Sequence, residues 1–139
     1  MSVVTLRFSL KTNGNGEIVD ITGSVSEAVR KSGVLSGIVT IFVPGSTAGL
    51  TTVEYEPGLV EDIDELFERL APQNREYHHN LRWHDWNGHA HVRASLLGPS
   101  LTVPFTEGRL TLGIWQQIIL IDFDNKSRSR ELVCQVMGE

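Results

Sequence analysis

The chain is poor in cysteine, in basic character and in long apolar runs, and each shortage excludes something. Cys134 is the only cysteine among 139 residues. No intramolecular disulfide can form, and such usage fits a reducing compartment. Lys and Arg number 12 against 17 Asp and Glu, and the formal net charge is -5. An acidic chain whose few cations form no stripe lacks the electrostatic footprint of a nucleic-acid binder. No segment approaches the ~20 apolar residues of a membrane-spanning helix. The opening MSVVTLRFSLK has neither the basic start nor the apolar run of a secretory signal. These readings predict a cytoplasmic protein with no nucleic-acid or membrane partner. Familiar catalytic signatures are missing too. There is no GxxxxGK[ST] loop, no HExxH helix and no nucleophile elbow, and one cysteine cannot build a thiolate cage.

What is present is an ordinary globular composition, 40% hydrophobic and 21% charged. A chain of this length, read as one domain over residues 1–139, buries roughly two-thirds of its unfolded surface. Val4, Leu6, Phe8 and Leu10 alternate as a half-buried strand. The glycine-rich KTNGNGE turn then joins it to IVDIT, which reads as a hairpin. Ser24 and Glu27 have capping-box spacing at the start of a helix stopped by Gly33. GIVTIFV reads as a strand buried on both faces, and PGSTAG breaks it. Pro57 opens a helix whose apolar face is Leu59, Ile63, Leu66, Phe67 and Leu70. A long loop follows from Ala71, and Asn87 is placed to cap a third helix ending at Gly98. SLTVPF, a long strand LTLGIWQQIILIDF and ELVCQVM complete the chain. The order predicts an α+β, single-domain layered fold with a mixed, mainly antiparallel sheet and about three helices.

The five histidines, His78, His79, His84, His89 and His91, crowd one stretch. His89 and His91 are two apart and diverge on a helix, whereas His91 and Ser95 are four apart and share a face. Without the paired spacing of a structural zinc site, a metal would need imidazoles gathered by a loop. Gly45, Ser46, Thr47 and Gly49 lie in a bend whose hydroxyls and amides suit an anion such as phosphate. Gln116 shares its parity with Leu110, Leu112, Ile114, Ile118 and Leu120, so the long strand predicts a buried amide needing a partner. Trp115 and Gly113 fall on the other face.

Together these residues carry a resemblance. FVPGSTAGLT followed by Glu54, Tyr77-x-His79, HVRASLLGPS, and VPF-x-x-G-x-L-x-L-G-x-W-Q closely resemble the YjbQ-like family, as does KTNGNGEIVDIT near the start. Members of that family are called secondary thiamine-phosphate synthases. The resemblance implies a homotrimer with pockets near subunit boundaries. It also implies weak thiamine-phosphate synthase activity, which joins a pyrimidine diphosphate to a thiazole phosphate and releases pyrophosphate. Phosphate-bearing small molecules would be the substrates, handled with a divalent metal such as zinc or magnesium. By this likeness His79 and His91 are catalytic groups or metal ligands, and Glu54 is an acid/base or supporting carboxylate. Ser46, Thr47, Ser95, Ser100 and Gln116 bind substrate, and Asp62 matches a further acidic position. The chain departs from the pattern at Gly45, where a histidine is usual, and at Tyr55, Ile114 and Gln117. The departure at Gly45 raises an alternative: a non-catalytic trimeric binding or scaffold protein with a degraded site.

Overall fold

The strands form two antiparallel sheets, and the computed structural model describes them over residues 1–139. In the larger sheet β1 (Ser2–Thr12) pairs along its whole length with β8 (Arg128–Gly138). Next come β3 (Gly37–Phe42), β5 (Ser100–Thr106) and the short β6 (Arg109–Leu110). In the smaller sheet β7 (Gln117–Asp122) lies between β2 (Glu17–Asp20) and β4 (Ala48–Val53). The helices are α1 (Thr22–Ser32), α2 (Pro57–Leu70), α3 (His78–Trp83) and α4 (Gly88–Leu97). The α+β layered class is as expected. The additional helix, α3, lies inside the stretch the sequence reads as a loop. No helix is long and apolar enough to cross a membrane.

Two clusters of buried side chains explain the layering. One joins Val39, Ile41, Val103, Phe105, Leu132, Cys134 and Val136 of the large sheet to Val25 and Val29 of α1 and to Leu50, Ile118 and Leu120 of the small sheet. The other joins Ile119, Ile121 and Phe123 to Phe67 of α2 and to Ala90 and Ala94 of α4. The small sheet is therefore packed on both faces, and β7 is its middle strand. Its run of four consecutive apolar residues, Ile118 to Ile121, is entirely buried. Each such side chain contributes about 1.5–3 kcal/mol of transfer free energy.

Several local expectations are corrected. Double burial belongs to β7, not to β3: Val39 and Ile41 are buried, while Ile38 and Phe42 are about two-fifths exposed because no part of the chain covers the outer face of the large sheet. β1 and β2 are no hairpin. Gly14, Asn15 and Gly16 all take positive φ, and this turn passes the chain from one sheet to the other. The capping box at Ser24 is absent, since α1 begins earlier and its Thr22 N–H donates to the Asp20 side chain. Glu27 instead pairs with Arg30 and Lys31. Leu66 and Leu70 of α2 are exposed, so its packed stripe is narrower than predicted, although Pro57 does open the helix.

The long strand over LTLGIWQQIILIDF is also interrupted. Between β6 and β7 the chain leaves the sheets over residues 111–116, and Ile114 and Trp115 project outward, 87% and 70% exposed. The parity argument for Gln116 therefore fails. Gln116 is exposed; its Nε2 donates to Thr52 Oγ1 at 2.9 Å, and its Oε1 accepts from the Gly113 N–H at 3.0 Å.

Candidate functional site

The chemistry-bearing residues gather where β7 ends and returns into β8. Asp122 and Asp124 are two apart and share a face. Both are fully buried, so each needs compensation. Arg130, at the start of β8, supplies it to Asp122 through two bonds: Nε to Oδ2 and Nη2 to Oδ1, each 2.8 Å. This fork is the strong form of the pairing. Arg130 Nη2 also donates to Thr47 Oγ1 at 2.8 Å. Thr47 in turn donates to Asp124 Oδ2 at 3.0 Å, and Arg128 bonds the same oxygen. Burial pushes both carboxyls up, but donors outweigh it: Arg130 and Thr12 around Asp122, and Arg128, the Asn125 N–H, Asn87 and Thr47 around Asp124. Both are held below the ordinary aspartate value and stay ionised.

From Asp124 the network continues outward to the histidines. Asn87 Nδ2 donates to Asp124 Oδ1 at 3.3 Å, and Asn87 Oδ1 faces His79 Nε2 at 3.1 Å. Asn87 stands at the N-cap of α4, as its position predicts. Its side chain makes no capping bond and is directed to the site instead. His79 Nε2 also lies 3.3 Å from the Asp85 carboxylate. The ring of His91 lies 4.2 Å from that of His79, centroid to centroid. Burial, and after it repulsion from His79, pushes the His91 pKa down. The two histidines singled out from sequence thus share one place, and His79 is joined by hydrogen bonds through Asn87 to a buried ionic network.

The remaining histidines divide as the helix geometry predicts. His89 points away from His91 into the protein, 2% exposed, with Nδ1 unpartnered. Burial and Arg93 lower its pKa. His78 and His84 are exposed. No group of three or more His, Cys, Asp or Glu side chains is arranged to hold a metal ion. His79 and His91 alone offer two nitrogens, so a cation there would need oxygens from a ligand or from water.

Other predicted residues lie elsewhere. Ala48 opposes Asp122 and Val53 opposes Gln117 in the β4–β7 ladder. Thr47 is therefore at the histidine end, and Glu54 and Gln116 are at the opposite end, roughly 20 Å away at ~3.3 Å per residue. Gln116 and Ser100 instead line a cleft of about 390 Å³ between β4 and β5, with Thr51, Thr52, Thr102 and Thr111. Ser95 is exposed and donates back to the His91 carbonyl at 2.8 Å. Ser46 and Asp62 are exposed.

Gly45 has φ +121°, a conformation that strains a side chain. A Cβ there would stand 3.0 Å from Arg130 Nη1. A guanidinium nitrogen thus stands where a side chain at position 45 would begin. Asp122, Asp124, Arg130 and Asn87 escaped the sequence reading. The available signal was two carboxylates at strand parity in the apolar run QIILIDFD, followed closely by Arg128 and Arg130.

Comparison with known proteins places the chain among relatives of similar length and fold. A family model described as UPF0047 protein YjbQ-like matches residues 6–139. A UPF0047 protein of Archaeoglobus fulgidus is 39% identical over 92% of this chain and 98% of its own. YugU of Bacillus subtilis, also a UPF0047 protein, is 33% identical over 93% of this chain and 96% of its own. The crystal structure of a YbjQ-like protein of unknown function from Sulfolobus solfataricus superposes with a TM-score of 0.89 at 36% identity, covering 99% of this chain and 100% of that one. A hypothetical protein from Aeropyrum pernix gives 0.90 at 35% identity, covering 98% and 99%. With the family match running from the first strand to the final residue, the chain belongs to the YjbQ-like UPF0047 family.

Proposed function

We propose that the chain is a small-molecule transferase of the thiamine-phosphate synthase type, working at the His79–His91 pair. The observation that carries this reading is the pair itself: two imidazoles 4.2 Å apart, one tied through Asn87 to a buried aspartate. The thiazole nitrogen attacks with its own lone pair and has no proton to give, so the work left to the imidazoles is at the leaving pyrophosphate: one can donate a proton or hydrogen bond to its oxygens while the other binds phosphate oxygen. A divalent cation, zinc or magnesium, would be held by the two imidazoles and the substrate's own oxygens, and would offset charge on the leaving pyrophosphate. Thr47 belongs to the supporting network. Glu54, Ser100 and Gln116 take part only if a neighbouring subunit brings them to the pair. Assembly as a homotrimer belongs to this proposal. The exposed Ile38 and Phe42 on the large sheet, with Ile114 and Trp115 on the β6–β7 loop, supply apolar surface for it.

The test is incubation of purified protein with both phosphates and magnesium, with thiamine phosphate read by mass spectrometry. Product is expected from the wild type and lost in His79→Ala and His91→Ala. No product, or product that survives both substitutions, would end the transferase reading. A second reading follows from Gly45. Arg130, though paired with Asp122, presents Nη1 beside Gly45, and that guanidinium edge would bind a phosphate ester without turning it over. Calorimetric binding of either phosphate with no product would favour that.

A further inference from the structure

We propose that Asn87 and Asp124 are positioning residues that hold His79 as the Nε2-protonated imidazole. They thereby leave the Nδ1 lone pair as the one electron pair of this ring free to meet a ligand. The proposal rests on the transferase reading for its purpose, but not for its test.

The argument begins at Asp124, which has no exposed surface and is an acceptor on every side. It takes bonds from Thr47, Arg128, the Asn125 N–H and Asn87. An ionised carboxylate can only accept. The Asn87 amide, 5% exposed, must therefore turn its NH₂ group toward Asp124, and its carbonyl oxygen is left facing His79 Nε2 at 3.1 Å. A carbonyl oxygen cannot donate, so the proton between them belongs to His79. The Asp85 carboxylate, 3.3 Å from the same nitrogen, is a second acceptor and favours the same assignment. In the neutral ring the other nitrogen, Nδ1, then carries the lone pair.

The orientation has a chemical consequence. The thiazole nitrogen brings no proton to remove, so the free Nδ1 lone pair serves as an acceptor that orients a substrate N–H or O–H group. Asn87 acts as the third member does in hydrolase triads, through orientation rather than by moving a proton itself.

The test is nuclear magnetic resonance of the ¹⁵N-labelled wild-type protein at neutral pH, without substrate. A hydrogen-bonded Hε2 proton of His79 should be visible and protected from solvent exchange. In Asn87→Leu that proton should be lost to exchange. In Asp85→Ala, changed at a surface position, it should persist. A wild-type spectrum with the proton on Nδ1, or with no observable ring proton on His79, would overturn the proposal whether or not either variant folds. So would loss of Hε2 in Asp85→Ala together with its survival in Asn87→Leu, which would assign the orienting role to Asp85. Because no substrate is present, failure here is distinct from failure to form thiamine phosphate.

Discussion

Replacing Arg130 by Met tests whether the buried ionic network holds the β7–β8 return together. Arg130 is 7% exposed and Asp122 has no exposure. The substitution keeps most of the aliphatic stem but removes both bonds to the Asp122 carboxylate and the bond to Thr47. Asp122 then retains the Thr12 hydroxyl and the Asp124 N–H. These are too few for a buried anion, and removing one partner of such a pair typically costs about 3–5 kcal/mol. With a urea slope of about 2 kcal/mol per molar for a chain of this size, the unfolding midpoint should fall by roughly 2 M. The same principle makes a sharper demand. Removing both charges in Asp122→Leu/Arg130→Met should recover much of the loss, because an apolar pair leaves no orphaned charge. The assay is equilibrium urea unfolding followed by tryptophan fluorescence and by circular dichroism. A midpoint shift below about 0.5 M for Arg130→Met at unchanged slope, or a double variant no better than the single one, would refute the assignment.

Further outcomes are expected. Gly45→Ala should destabilise by about 1–3 kcal/mol, since φ is +121° and the Cβ would press on Arg130; Gly45→His should lower the melting temperature and should not raise zinc affinity, as checked by calorimetry. His89 and His91 have depressed pKa values in the folded chain. The unfolded chain therefore binds more protons below about pH 6.5, so their contribution is complete above that pH and is lost as pH falls toward the depressed values. Asp122 and Asp124 add a second loss only below about pH 3.8, where unfolded aspartates take up protons first. A urea midpoint that stays flat from pH 7 to pH 5 would contradict the histidine part. Burial pushes the Cys134 thiol up to about 11, so it should resist a thiol-reactive dye until urea unfolds the chain. Light scattering in dilute solution should give the mass of three chains, and a monomer mass at micromolar concentration would remove the shared-pocket role of Glu54 and Gln116.

The fold was legible where one face of an element meets the core and the other meets water. The β1 alternation, the buried Val25, Ala28 and Val29 of α1, and its stop at Gly33 all follow from local pattern. Legibility failed where tertiary neighbours decide. Apolar runs at β3 and β7 look alike in sequence, yet only β7 has packing on both sides. β1 and β2 are adjacent in the chain but belong to different sheets, because β8 offers β1 an eleven-residue partner. The LTLGIWQQ stretch alternates like a strand, but its outward Ile114 and Trp115 find no partner within the chain.

The site shows the same division for a different reason. A histidine declares itself in any sequence, and helical spacing was enough to separate His91 from His89. An aspartate in an apolar strand declares itself only when each buried polar group is asked for its partner. Strand parity raises that question first for Gln116, which is exposed, whereas Asp122 and Asp124, six and eight residues further on, lie fully buried. Asn87 was harder still. An asparagine before a helix is explained by capping alone, and only the fold shows the cap position facing Asp124 and His79 at once. One short segment therefore starts a helix and aims a histidine. Asn87→Asp isolates the donor half of this link: a carboxylate can still accept from His79, but it cannot donate to Asp124 and sets a second anion against it. Asn87→Asp should therefore destabilise the fold, while the His79 ring proton stays held by the new carboxylate. A variant of unchanged stability would show that Asp124 does not depend on the Asn87 amide, and the assigned amide orientation would fail with it.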